Sequence, residues 1–200
     1  VFSRSEYEEK ILEPMYRDIE AYDPEGILRH EWLNARGAIA RFERNTIEIR
    51  LLDMQECPQS DLAVAAAVMA VLEALTQERW SDLESQMAWP TERLADTLLS
   101  VIATAERTAI TDREFLNAFG WTGSDTPYAG DLWRHLVEEL MPVESVRHGV
   151  WREPLDLILD RGTLAHRILD ALGQHFTAEA LHRTYAELCR CLALNHPFSP

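Results

Sequence analysis

The chain has 200 residues, 46% hydrophobic and 26% charged, the make-up of an ordinary folded protein able to bury about two-thirds of its unfolded surface. Acids outnumber bases 34 to 19 for a formal charge of -15, which excludes general nucleic-acid or anionic-membrane partners unless basic residues are locally concentrated. Three cysteines, Cys57, Cys189 and Cys191, are an odd number that argues against a disulfide scaffold, so a reducing cytoplasm is the expected location.

The chain opens on Val1 rather than Met, as a processed or excised segment would, and no basic stretch leading into an apolar one announces a secretory signal. Ser5 to Glu8 has the form of a capping box, and Tyr7, Ile11, Leu12, Met15, Ile19 and Tyr22 recur as one face of a helix. Pro14 is expected to distort its middle, and Asp23-Pro24-Glu25-Gly26 to end it. The period then changes from 3.6 to 2. Gly37 to Phe42 and Thr46 to Asp53 read as two strands joined by Glu43-Arg44-Asn45.

Beyond Pro58 the pattern is helical almost throughout. Leu62 to Leu72 is too short for the roughly twenty residues that cross a bilayer. It reads as part of a buried helix capped by Ser60 or Asp61 and running to about Trp80. Thr91 is expected to cap another, with Leu94, Leu98, Val101, Ile102 and Ala105 inward. Thr111 to Glu114 forms a second capping box, closed by Gly120. After a turn-rich stretch, Asp131 caps Leu132 to Leu140, Pro154 opens a short helix to Gly162, Thr163 caps one to Gly173, and Thr177 starts the last. The fold class is α+β, mainly helical with a β-hairpin in the N-terminal half. Two strands are marginal alone, so the hairpin is expected to join strands outside this chain. Residues 1–200 are expected to be a single domain or the C-terminal segment of a larger catalytic domain. Within them, residues 1–57 carry the helix and hairpin, and residues 58–200 the helical portion.

The hairpin also holds the local exception to the acidic charge. Arg36, Arg41, Arg44 and Arg50 fall in a stretch whose acids are Glu43 and Glu48. Alternation directs Ile47, Ile49 and Leu51 to a core, and Thr46, Glu48 and Arg50 to the opposite face, where Arg36 or Arg41 of the partner strand can join them. A carboxylate among strand-borne arginines suits a metal-nucleotide polyphosphate, with the carboxylate on Mg²⁺ and the guanidiniums on phosphate oxygens. The same alternation equally describes solvated cross-strand ion pairs.

The residues themselves carry a resemblance. Ala35-Arg36-Gly37-Ala38-Ile39-Ala40-Arg41-Phe42, then Asn45-Thr46-Ile47-Glu48-Ile49-Arg50 and Asp53, resemble the C-terminal active-site strands of the glutamate-cysteine ligase-like carboxylate-amine ligases, in the glutamine synthetase superfamily. The resemblance extends from about Asp23 to Trp80. It implies that the hairpin completes a glutamine synthetase-like catalytic sheet. It further implies ATP and Mg²⁺ as cofactors, with Arg36 and Arg41 neutralising the polyphosphate, Glu48 a Mg²⁺ ligand, and Arg50 on the transferring phosphate or substrate carboxylate. The implied chemistry activates a carboxylate, typically of glutamate, as an acyl phosphate that an amine such as that of cysteine attacks. Metal-binding acids on earlier strands are absent here, so the N-terminal remainder of the same protein is an implied partner. A homo-oligomer is plausible by the same resemblance. Arg36 and Arg41, five apart, lie on opposite faces of a regular strand, and a bulge at Gly37 would reconcile them.

Other residues carry less. His166, His175 and His182 match no ligand spacing and read as solvated or capping. Cys189 and Cys191 point to different sides of a helix, and Cys57 has no clear activating group. His30, Asn34 and Asp53 flank the proposed site, as turn residues or as contacts. The competing functional class is a helical interaction or regulatory module that retains the hairpin without catalysis.

Overall fold

The computed structural model describes residues 1–173 and 176–200, so His175 lies outside the described residues. The chain forms two compact units, Val1–Met54 and Gln55–Pro200, and its architecture is α+β and mainly helical.

In the first unit Ser3 Oγ accepts the Glu6 N–H at 3.2 Å and caps α1 (Arg4–Tyr7), a turn's start earlier than the capping box placed at Ser5. A π-helical turn, Glu8–Leu12, joins α1 to α2 (Glu13–Ile19). Pro14 has no N–H and its ring crowds the carbonyl four residues back, and the turn before it widens so that Glu13 N–H bonds Glu8 O instead. The expected distortion takes this form. Asp23 ends the helical segment by accepting the Ile27 and Leu28 N–H groups at 2.9 and 2.8 Å.

Strands β1 (Ala38–Arg41) and β2 (Thr46–Ile49) pair antiparallel with Ile39 opposite Glu48 and Arg41 opposite Thr46. A 3₁₀ turn over Phe42–Arg44 connects them, and Asn45 closes it at φ 51°, a left-handed position that Asn tolerates better than most residues. Arg50 N–H donates to Gly37 O at 2.7 Å, continuing the ladder. The burial of the hairpin is the reverse of the expectation. Ile39 is 1% exposed and Arg41 is buried, whereas Ile47 is 66% exposed and Ile49 and Leu51 also face outward. The reason is local: the segment after Glu31 lies on the polar face, because Arg41 and Arg50 find a carboxylate and two backbone carbonyls there. The Tyr7 hydroxyl accepts Ala40 N–H at 3.3 Å on the outer edge of β1, and β2 has no strand on its other side among the described residues.

The second unit is built on α3 (Pro58–Thr76), which starts after Cys57 with no side-chain cap rather than at Ser60 or Asp61. At 19 residues it is longer than the apolar run read from sequence, and by length and composition alone it could cross a bilayer. Its Ala63, Ala67 and Ala70 pack with Val137, Met141 and Leu155, and its Val71 with Ile110, Leu116, Ala129, Leu132 and Leu136. Small residues on α3 let the opposing helix approach closely, and larger side chains fill the gap from the other side. That helix is α7 (Ala129–Leu140). Around this pair lie α4 (Leu83–Met87), α5 (Thr91–Thr104), α6 (Arg113–Ala118), α8 (Arg152–Arg161), α9 (Leu164–Leu172) and α10 (Ala178–Leu194).

Several caps differ from expectation by a residue or more. Asp112, not Thr111, caps α6 by accepting Phe115 N–H at 3.1 Å, Arg152 rather than Pro154 starts α8, and Asp131 sits inside α7 and accepts Tyr128 N–H at 2.9 Å. Thr163 and Thr177 precede α9 and α10 as read. On α5, Leu94, Leu98 and Ile102 are exposed rather than inward, and only Val101 packs against the core. The helix is amphipathic, but its apolar stripe is wider than the surface it meets.

Candidate functional site

The polar face of the hairpin assembles four charged side chains into an alternating row. Glu48 stands at the centre of β2, and its two oxygens are divided between two arginines. Oε2 is bonded by Arg41 Nη1 and Oε1 by Arg50 Nε, the latter at 2.8 Å. Arg41 reaches Glu48 diagonally across the ladder and Arg50 reaches it along the strand, two residues on, where side chains share a face. Beyond Arg41 comes Glu31, its Oε2 3.4 Å from Arg41 Nε. The order is therefore Glu31, Arg41, Glu48, Arg50, two negative and two positive charges.

Burial grades this row. The side chains of Glu31 and Arg41 are 10% and 9% exposed, against 36% for Glu48, so the Glu31 end is interior and the Glu48 end is open to solvent. Bonds from Arg41 and then from Arg50 hold the Glu48 carboxyl below the usual carboxylate range, and the Glu48 contact raises Arg41 further above its already high value. Both are charged at neutral pH.

Arg50 has a second occupation. Its Nη1 donates to Asn34 O at 2.7 Å, and Nη1 and Nη2 both donate to Trp32 O at 3.2 Å. It staples the 32–34 segment onto the strand. Asn34 is fully buried and completes the wall: Nδ2 donates to the Tyr7 hydroxyl at 2.7 Å, while Oδ1 accepts from Arg36 N–H at 3.2 Å and Arg36 Nη1 at 3.1 Å.

Of the two arginines that the pattern allows beside Glu48 and Arg50, the structure places Arg41 there and leaves Arg36 apart. No bulge occurs at Gly37: the ladder runs regularly from Gly37 opposite Arg50 to Arg41 opposite Thr46. Arg36 is exposed, with Nη1 bonded to Asn34 Oδ1 and 3.7 Å from Met15 Sδ. His30 lies 3.5 Å from Glu43 and is not in the row. Glu31 is the residue that sequence reasoning misses. It sits in a 3₁₀ turn, Glu31–Leu33, outside any periodic segment, and only the folding back of that turn places it beside Arg41. Two open clefts, of about 240 and 230 Å³, are lined by Arg93 to Asp112 residues and by Glu13, Tyr16, Arg17, Glu20 and Arg29; neither includes the row.

Elsewhere, His166 Nδ1 and Glu106 Oε1 are 2.6 Å apart, so His166 is paired rather than solvated, while His182 is exposed. Cys189 is exposed and Cys191 buried, on different sides of α10 as expected. Cys57 is buried at the α3 N-terminus with Sγ 3.4 Å from Ser60 Oγ, a helix-end position not anticipated for it. Among the described residues no three His, Cys, Asp or Glu side chains are grouped to hold a metal ion.

A family model described as glutamate-cysteine ligase family 2 (GCS2) matches residues 2–187. An uncharacterized protein of Archaeoglobus fulgidus is 40% identical over 81 residues, which are 38% of this chain and 22% of that protein. The aligned part is thus under a quarter of that relative. No solved structure matches.

Proposed function

The chain belongs to glutamate-cysteine ligase family 2, and we propose that it contributes part of the active site of an ATP-dependent carboxylate-amine ligase. In this reading a carboxylate such as that of glutamate is activated as an acyl phosphate, and an amine such as that of cysteine displaces the phosphate to give an amide. The observation that supports it is the strand-borne row of Arg41, Glu48 and Arg50, in the stretch whose order of residues resembles the family's active-site strands. Strands hold charged groups in fixed positions, and phosphoryl transfer depends on position and charge more than on covalent help.

The residues fit a magnesium-nucleotide. Mg²⁺ commonly takes one or two protein carboxylates and fills its remaining positions with phosphate oxygens and water, and Glu48 supplies one ionised carboxylate at the solvent-open end of the row. Bound there, the metal would neutralise polyphosphate charge. The chain's own residues then do the following. Glu48 would be the carboxylate that holds the metal, Arg41 and Arg36 would supply guanidinium donors for phosphate oxygens, and Arg50, which holds the 32–34 wall, would have its remaining donor for the transferring phosphate or the substrate carboxylate. Further carboxylates come from earlier strands of the complete protein. The exposed face of Ile47, Ile49 and Leu51 and the open edge of β2 are where those strands would add, giving the glutamine synthetase-like sheet. Cytoplasmic location and a homo-oligomer belong to the same reading.

One observation favours a second reading, a helical interaction module without catalysis: both Glu48 oxygens are already neutralised by arginine. The test separates the two. Full-length protein given MgATP, glutamate and a panel of amines should form ADP in a glutamate-dependent way, and Glu48→Ala or Arg50→Ala should remove that turnover. Undiminished turnover in both variants would refute the site, and no turnover with any amine favours the module.

A further inference from the structure

Arg41 is held by two carboxylates of different kinds, and the inner one has no role in the chemistry described so far. Glu31 Oε1 accepts Phe42 N–H at 3.0 Å, which fixes its carboxylate against the start of the hairpin turn. Its Oε2 is buried, faces Arg41 Nε at 3.4 Å and has no hydrogen-bond partner of good geometry; Arg41 Nε is likewise buried without one. Two opposite charges, both about nine-tenths buried, therefore face each other in a contact that is close but not closed. On the other side Arg41 Nη1 is bonded to Glu48, the solvent-open member of the row.

We infer that Glu31 is the positioning residue of Arg41, holding its guanidinium charged and aimed along the hairpin when Glu48 is drawn away from it. The inference rests on the ligase reading for its catalytic consequence, though not for its structural content. A buried guanidinium that loses one hydrogen-bonded counter-charge must keep another close by or move to solvent, because an unpaired charge in the interior is strongly disfavoured. Glu31 provides that counter-charge from where it already stands, fixed by Phe42 N–H with Oε2 3.4 Å from Arg41 Nε. Removing a residue that orients a metal ligand typically costs roughly 10-fold to 100-fold in affinity or activity, and a loss of that order is expected for a residue that orients Arg41.

The bland reading is that Glu31 only caps Phe42. Glu31→Gln separates the two, because the amide oxygen keeps the Phe42 contact and the volume while the charge facing Arg41 is lost. In full-length protein assayed as above, Glu31→Gln should lower kcat about 10-fold or more and leave the KM for glutamate unchanged. In an Arg41→Gln background the same change should alter kcat less than about twofold, because Glu31 acts through Arg41. Equal losses in the two backgrounds, or an unaltered kcat in the single variant, overturn the inference.

A second measurement stands apart from turnover and from the variant's folding. In wild-type protein labelled with ¹⁵N-arginine, the Arg41 Nε–H resonance, assigned by its loss in Arg41→Gln, should exchange with water much more slowly than that of Arg36. Equal exchange overturns the positioning role. Slow exchange that is lost in Glu31→Gln, in a protein with no MgATP turnover, upholds the Glu31–Arg41 contact while the ligase reading fails.

Discussion

Removing Arg167 should strongly destabilise the helical unit. Arg167 and Glu56 form an ion pair whose side chains are 1% and 0% exposed. Arg167 Nη1 lies 2.9 Å from Glu56 Oε1, Nε donates to Gly162 O at 3.2 Å, and Nη1 also donates to Phe198 O. In Arg167→Met one carboxylate oxygen keeps the Phe198 N–H at 2.7 Å, but the charge is uncompensated and two carbonyls lose a donor. Breaking such a pair from one side costs about 3–5 kcal/mol. For a unit of this size each kcal/mol moves the melting temperature by about 3 °C, so thermal unfolding should begin about 10–15 °C lower. The double variant Glu56→Gln with Arg167→Met should recover most of the loss, since replacing both members removes the buried charge.

The same pair sets a pH dependence of known sign. Burial pushes the Glu56 carboxyl up, but bonds from Arg167 and from the Phe198 backbone outweigh it and hold the carboxyl below its ordinary value. A depressed folded pKa contributes stability above the unfolded value, about 4.3, and that stability is lost as pH falls through the folded value. In Arg167→Met the carboxylate has lost its cation and is easier to protonate, so the gap between variant and wild type should shrink in acid. A loss under about 1 kcal/mol near neutral pH, or a gap that widens in acid, refutes the reasoning.

Asp112 caps α6 and receives Arg93 Nη2 at 2.6 Å; Asp112→Ala should cost about 1–2 kcal/mol by denaturant titration. Burial tends to raise the Asp112 carboxyl, yet Arg93 and the Phe115 N–H hold it below the usual range, so this contribution too should fade below about pH 4. Ile47→Thr, on the outward face of β2, should change the stability of this chain by no more than about 0.5 kcal/mol, measured by thermal melting, whereas in full-length protein it should lower MgATP-dependent turnover if strands cover that face. A large loss in the 200-residue chain would show the face to be buried already.

Chain-local chemistry made much of this protein legible from its residues. The switch from a 3.6 to a 2 period located the hairpin, Pro14 marked a distorted turn, and Glycine or Thr at helix ends bounded α8, α9 and α10, because capping and backbone restriction act within a few residues. Alternation likewise put Glu48 and Arg50 on one face with either Arg36 or Arg41 beside them, and the order of residues carried the family. Tertiary structure alone decided which face of that hairpin is buried. Alternation states that two faces differ, and it is silent on which one a neighbouring segment covers; here Trp32 O and Asn34 O settled it by accepting from Arg50, and Glu31 by facing the buried Arg41. The same holds for Glu31 beside Arg41 and for Glu56 beside Arg167, 111 residues apart in the chain. Such pairs leave no periodic trace, because their partners are chosen by where the backbone returns.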